Sequence, residues 1–199
     1  MAVAIPNMPD FRKPSREISP MFINRWSPRA MSGGEIEKEE LLRLCEAARW
    51  APSSMNNQPW RFLYALKNTA NWEMFFNLLA PGNQLWCGNA SALLVVISKT
   101  TFDFNEKPSR THSFDAGAAW GYFALQGSLL GLVVHGMQGF NYDKAKEVLH
   151  IGDEYQVEAM IAVGLPGNKD DLPSALQERE FPSDRKKLDD IVREGGFGA

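Results

Sequence analysis

Between Asp115 and His135 the chain runs for nineteen residues without a charge, and this stretch limits what the rest can fold into. An uncharged run of that length either spans a bilayer or lies as a helix inside a core. Its composition favours the core: it is rich in Gly and Ala, Gln126 and Ser128 interrupt it, and basic flanks are missing. A central buried helix over residues 113–132 is therefore expected. Its Ala116-Gly117-Ala118-Ala119 start would permit close approach of another backbone.

Other periodic segments surround that helix. Residues 92–98, Ala-Leu-Leu-Val-Val-Ile-Ser, are a continuous apolar run of the kind expected of a strand covered on both faces. Residues 61–66 and 157–164 read as further strands. Residues 133–140, punctuated by Gly136 and Gly139, fit either a strand with turn glycines or backbone passing close to a flat ligand. Ser32-Gly33-Gly34-Glu35 has the spacing of a capping box, opening a helix whose Ile36, Leu41, Leu44, Cys45 and Ala48 share one face until Pro52 ends it. Residues 69–80 and 142–149 are expected to be helical, as is a short last segment around Leu188, Ile191 and Val192. Pro81-Gly82-Asn83 reads as a turn, and residues 167–182, interrupted by prolines, as a linker.

Such a mixture without internal repeats predicts an α+β or α/β sandwich with a central mixed sheet flanked by helices. The expected organisation is an extended proline-bearing arm over residues 1–21, one domain over residues 22–192 and a tail over residues 193–199. With 199 residues, the chain suffices for one domain or for a subunit whose core is completed by a copy of itself.

Charge and cysteine usage narrow the partners. The formal net charge of -3 leaves no general basic footprint, which argues against nucleic acid and an anionic membrane surface. Any anion site must be local. Cys45 and Cys87 are the only cysteines, without a CxxC or a His pair at ligand spacing, so no metal site is expected and a reducing, cytoplasmic setting is. The first twenty residues carry four prolines and no apolar run, unlike a secretory signal. Dinucleotide, Walker, nucleophile-elbow and zincin motifs are all missing. His112, His135 and His150 have no Ser or Cys neighbour that suggests a triad, and a structural role is expected for each.

Two polar clusters remain. Arg25-Trp26-Ser27-Pro28-Arg29 places two guanidiniums and a hydroxyl in a segment that Pro28 keeps out of a helix interior; it is either a solvated basic turn or an anion clamp. Pro52-Ser53-Ser54-Met55-Asn56-Asn57-Gln58-Pro59-Trp60 gathers hydroxyls and side-chain amides between two apolar segments. It is either plain turn chemistry or a ligand loop. Arg185-Lys186-Lys187 adds a late basic cluster.

Taken in order, these segments resemble the nitroreductase family of flavin enzymes. Arg25 to Arg29 is similar to the family's Arg-x-Ser-x-Arg clamp, and Pro52 to Trp60 to its Pro-Ser-x-x-Asn-x-Gln-Pro-Trp loop. Gly82-Asn83-Gln84-Leu85-Trp86, Asp115-Ala116-Gly117-Ala118, Met137-Gln138-Gly139-Phe140, and Arg185 ahead of Leu188-Asp189-Asp190-Ile191-Val192 follow in the family's order.

The resemblance implies an FMN-binding α+β fold, an interlocked homodimer with the cofactor at the subunit interface, and NADH or NADPH as electron donor. It implies ping-pong hydride transfer through the flavin to a small-molecule acceptor: a nitroaromatic, a quinone or a related conjugated compound. Reductive dehalogenation, oxygen-dependent cofactor breakdown and a non-catalytic flavin-binding dimer are the alternatives. The implied cofactor-binding residues are Arg25, Trp26, Ser27, Arg29, Pro52, Ser53, Ser54, Asn56, Gln58, Met137, Gln138, Gly139 and Arg185; among them Arg25, Arg29 and Arg185 would supply charge and Ser27 a hydrogen bond to the phosphate, Asn56 and Gln58 amides to the ring's pyrimidine edge, and the Gln138-Gly139 segment a backbone donor to N5. Since the flavin carries the chemistry, no acid, base or nucleophile is named. Trp26, Gln138 and Ser183 depart from the basic residue, Glu and Lys found at these places in many, several and some members respectively. Trp86, Phe102, Phe104 and Trp120 are candidate pocket walls by aromatic character alone.

Overall fold

The computed structural model describes residues 8–197. Its organising strand is β2 (Ala92–Lys99), in which seven of eight residues are buried. Alternate side chains of a strand face opposite sides. Accordingly Leu93, Val95 and Ile97 enter one apolar cluster, and Ala92, Leu94 and Val96 another. A strand buried this way requires cover on both faces, which explains its continuous apolar sequence.

The sheet has four strands in the order β1-β2-β4-β3, with β1 at Trp60–Leu66, β3 at Val133–Met137 and β4 at Tyr155–Gly164. Every pairing is antiparallel, so the sheet is not the mixed one expected. One face is covered by α3 (Lys38–Arg49) and α6 (His112–Leu129). Leu41, Leu44 and Ala48 from α3 meet Ala119, Phe123 and Ala124 from α6 there. Phe123 is fully buried and stacks on Phe62 of β1 at 5.5 Å. Burying each large apolar side chain of this layer contributes about 1.5–3 kcal/mol. The other face packs against α4 (Trp72–Phe76), α5 (Pro81–Cys87) and α7 (Tyr142–Val148).

The uncharged run is thus a core helix followed by a strand. Close approach occurs at its far end: a Cβ on Gly127 would collide with Val134, whereas one on Gly117 would meet nothing within 4 Å. Gly131, at φ 74, takes the left-handed turn that lets Leu132 N return to Gly127 O at 2.9 Å and release the chain into β3. No helix among the described residues is long and apolar enough to cross a membrane.

Local expectations are corrected at several points. Within the expected extended arm, residues 1–7 lie outside the described residues, and the remainder contains α1 (Met8–Phe11) and α2 (Pro20–Asn24), with Pro20 at a helix start where its missing N–H costs nothing. Ser32 and Glu35 do not cap α3: Gly33 turns left-handed at φ 79, and the box forms instead between Glu37 and Glu40. Pro81 starts α5 and does not make a turn. Residues 167–182 include α8 (Ser174–Gln177). The last segment forms only a single tight turn over Leu188–Asp190, with Ile191 and Val192 exposed.

Candidate functional site

The basic residues separated in sequence meet in space. A cavity of about 390 Å³ is lined by Arg25, Trp26, Ser27 and Arg29 from one segment, His135 from β3, and Arg179, Ser183 and Arg185 from another. Arg12 joins them from the end of α1. Residues 25–30 are held in place from both sides. His135 donates its Nδ1 proton to Pro28 O at 2.9 Å, since that carbonyl can only accept. The Glu180 carboxylate accepts from Arg29 N at 2.6 Å and Ala30 N at 2.8 Å, and its second oxygen lies 3.5 Å from Arg29 Nη1.

Electrostatics show how crowded with positive charge the cavity is. Burial and then the nearby Arg185 lower the Arg25 pKa. Arg12 is lowered by burial, then by Arg185 and Arg25, with Asp184 opposing. His135 is also lowered, chiefly by burial and against the pull of its Pro28 hydrogen bond, which keeps the imidazole neutral at neutral pH. Ser27 Oγ accepts from Arg25 Nη1 at 3.1 Å, which aligns guanidinium and hydroxyl. Several fixed guanidiniums with one partly engaged carboxylate form a donor set suited to a phosphate.

Beyond His135, β3 leads into Met137, Gln138 and Gly139. Met137 is buried beside Cys87, whose thiol pKa is raised by burial. The Gly139 carbonyl accepts from Asn83 Nδ2 and Ala80 N, each at 2.9 Å, and a Cβ on Gly139 would sit 2.7 Å from Asn83 Nδ2. That glycine is therefore explained by packing against α5. Met137 and Gln138 line a second cavity of about 340 Å³ together with Gly136, Trp120 and Glu158. Glu158 is the extra residue of a β-bulge, because Val96 pairs with Ala159 while Ile97 pairs with Val157. Its carboxylate accepts from the Ser98 and Ser113 hydroxyls and lies 3.5 Å from His112 Nδ1.

The Ser/Asn/Gln loop stands apart. None of its residues 52–58 lines either cavity. It precedes β1 at one edge of the sheet, whereas His135 to Met137 lie in the opposite edge strand and Gln138 and Gly139 follow it. Met55, Asn56 and Gln58 all adopt positive φ, at 53, 54 and 47°, in a region that disfavours side chains. Hydrogen bonds hold the strained conformation. Ser53 Oγ accepts from Gln58 N at 2.9 Å, Gln58 Nε2 donates to Asn56 O at 2.9 Å, and Ser54 N donates to the buried Asp115 carboxylate at 3.1 Å. Asn57 clasps the next loop, donating to Thr101 O and accepting from Asp103 N. Within one chain, then, the implied phosphate residues come together, but Pro52, Ser53, Ser54, Asn56 and Gln58 do not join them.

Of the aromatic candidates, Trp86 is buried and packs on His135 at 4.7 Å, Trp120 lines the second cavity, and Phe102 and Phe104 pair with each other. Arg12, Glu180 and Glu158 were not visible as site residues in the sequence. Each acquires its role through partners far away along the chain, and no local spacing signals that. Cys45 and Cys87 are both free and belong to opposite faces of the sheet, with burial raising Cys45 to about 11. No cluster of three or more metal-ligating side chains exists among the described residues.

The model of the nitroreductase family matches residues 23–73, which include both the clamp and the Ser/Asn/Gln loop. A solved structure described as an oxidoreductase containing FMN superposes with a TM-score of 0.90 at 49% identity, covering 94% of this chain and 96% of that one. A nitroreductase family protein of Clostridium difficile 630 gives a TM-score of 0.66 at 21% identity, over 87% of this chain and 95% of its own, and speaks for the fold alone. An uncharacterised 15.4 kDa protein of Mycolicibacterium smegmatis is 30% identical over 122 residues, which is 61% of this chain and 80% of that protein.

Proposed function

Because this chain belongs to the nitroreductase family, we propose that it is an FMN-dependent oxidoreductase that uses NADH or NADPH to reduce a small conjugated acceptor such as a nitroaromatic or a quinone. The observation that carries this reading is the single cavity in which Arg25, Ser27, Arg29 and Arg185 converge from distant parts of the chain. FMN, when bound, supplies a ring that accepts a hydride and passes two electrons on. The protein's task is to hold and orient.

In this reading Arg25, Arg29 and Arg185 bind the phosphate through charged hydrogen bonds, with the Ser27 hydroxyl as a further donor. His135 stays neutral and keeps the clamp against β3. Met137 ends that strand, Gln138 and Gly139 follow it, and the three bound the ring's end of the site. Asn56 and Gln58 suit a ring edge that offers both donors and acceptors, but in one chain they lie across the sheet from the clamp. A homodimer resolves the separation, because a second copy can bring its own loop to this clamp. The exposed apolar side chains of Phe114, Tyr122 and Leu129 on α6 supply a surface for such a pairing.

The test is to titrate purified protein with FMN. About one FMN per subunit is expected, with absorbance near about 450 nm bleaching anaerobically on NADH or NADPH and returning with an acceptor. A panel of nitroaromatics, quinones and halogenated aromatics then identifies the acceptor class. Protein that stays colourless and cannot be loaded with FMN would falsify the proposal.

A further inference from the structure

Arg12 stands beside Arg25, Arg29 and Arg185 in the same cavity. It is the one arginine buried among the described residues, at 8% exposure. Its guanidinium bridges two segments: Nη1 donates to the carbonyls of Ile23 and Arg25, each at 2.7 Å, and Nε to the carbonyl of Ser183 at 2.9 Å. No ion pair to Arg12 is present among the described residues.

The Ser183 contact is unusual in its position. It is the only hydrogen bond joining residues 183–186 to the rest of the described chain, since Arg185 Nη1 bonds only to Ser183 and Asp184 inside the segment. The placement of Arg185 therefore depends on Arg12, the residue that follows α1. Arg12, Arg25 and Arg185 share one cavity, and after burial, the larger cause, their mutual repulsion lowers the pKa of Arg12 and Arg25. Like charges gathered in a partly buried cavity oppose closure, and a bound dianion reverses the sign of that term.

Resting on the clamp reading given above, we propose that Arg12 is the positioning residue of the anion site. By bridging residues 23–25 to Ser183 it holds Arg25 and Arg185 around one cavity, so that docking of residues 183–187 and binding of a phosphate group strengthen each other. The coupling is reciprocal by linkage: whatever a phosphate gains from a docked segment, the segment gains in protection from the phosphate. A simple structural tie would hold the segment equally well with and without an anion.

The experiment uses the full chain and inorganic phosphate as probe. Hydrogen exchange of the wild type, with and without saturating phosphate, should show slower exchange in residues 183–187 and 8–12 when phosphate is present. Unchanged exchange in residues 183–187 overturns the coupling, and this measurement needs no variant to fold. Arg12→Gln and Arg12→Lys should each bind phosphate about tenfold more weakly and lose the protection, because a single ammonium cannot replace a fork whose donors serve two segments. Wild-type affinity in Arg12→Lys means that charge alone suffices, and the bridge is then wrong. Phosphate-dependent protection in wild-type protein that never takes up FMN leaves this inference standing and removes the oxidoreductase reading instead.

Discussion

The tightest polar junction behind the clamp is Glu180, and replacing it with Gln separates the charge of the side chain from its shape. The Glu180 side chain is 3% exposed, accepts from Arg29 N and Ala30 N at 2.6 and 2.8 Å, and leaves Oε2 without a hydrogen bond, 3.5 Å from Arg29 Nη1. In Glu180→Gln the amide oxygen can keep both backbone hydrogen bonds. Each then falls from the roughly 1.5–3 kcal/mol of a charged bond to about 1 kcal/mol. The ion pair goes too: its direct Coulomb term is about 5 kcal/mol at 3.5 Å and an effective dielectric near 20, but most of this is offset because a buried carboxylate no longer has to be desolvated. The balance is a destabilisation of about 2 kcal/mol, or roughly 4–8 °C in Tm for a chain of this size. Anion binding should move the other way, since Arg29 is released from its counter-charge. Thermal unfolding and phosphate titration on the same preparation read both effects. An unchanged or higher Tm together with weaker phosphate binding would refute the view that Glu180 holds the clamp by charge.

Two further perturbations probe the neighbouring elements. Gly136→Ala places a Cβ 2.8 Å from Trp120 Cζ2, so the indole must shift; an overpacking cost of about 1–3 kcal/mol is expected by chemical denaturation, and a neutral result means Trp120 moves freely. His135 has its folded pKa lowered by burial, so the unfolded chain binds the extra proton more readily, and stability should fall as pH drops from the unfolded value near about 6.5 toward the folded pKa. His135→Gln should lack that part of the pH dependence; an identical pH profile in wild type and variant assigns the loss to other groups.

How much of this could be read in the sequence follows from the range of the forces involved. β2 and α6 were legible because burial on both faces leaves a continuous apolar run, and a core helix leaves an uncharged one. The start of α3 was misplaced because Ser32/Glu35 and Glu37/Glu40 both have capping-box spacing, and Gly33 decides between them only through its left-handed turn. Pro81 was misread because proline opens helices as readily as it makes turns, and the choice rests on whether the following residues find a face to bury, as Trp86 and Cys87 do. The bulge that frees Glu158 leaves no trace in composition. Arg12 and Glu180 are invisible for a related reason: Arg12 reaches Ser183, and Glu180 reaches Arg29 and Ala30, each about 150 residues or more away along the chain.

The Ser/Asn/Gln loop raises a different question, since its residue types were legible and its place was not. Three strained residues, Met55, Asn56 and Gln58, are maintained by hydrogen bonds that the loop makes to itself and to Asp115. Strained side-chain-bearing residues persist where the surroundings over-determine them, and they gather at ligand sites. Yet no contact with either cavity in the same chain makes use of this rigidity. The loop is held firmly while Met55 is 73% exposed. Asp115 ties that loop to the start of α6, the helix whose Phe114, Tyr122 and Leu129 are also exposed. A second copy that covers this helix would therefore also approach the loop that carries Asn56 and Gln58. In the proposed homodimer, pairing of two copies would complete the proposed flavin site, so Phe114→Asp on the α6 face should weaken dimer and FMN retention together.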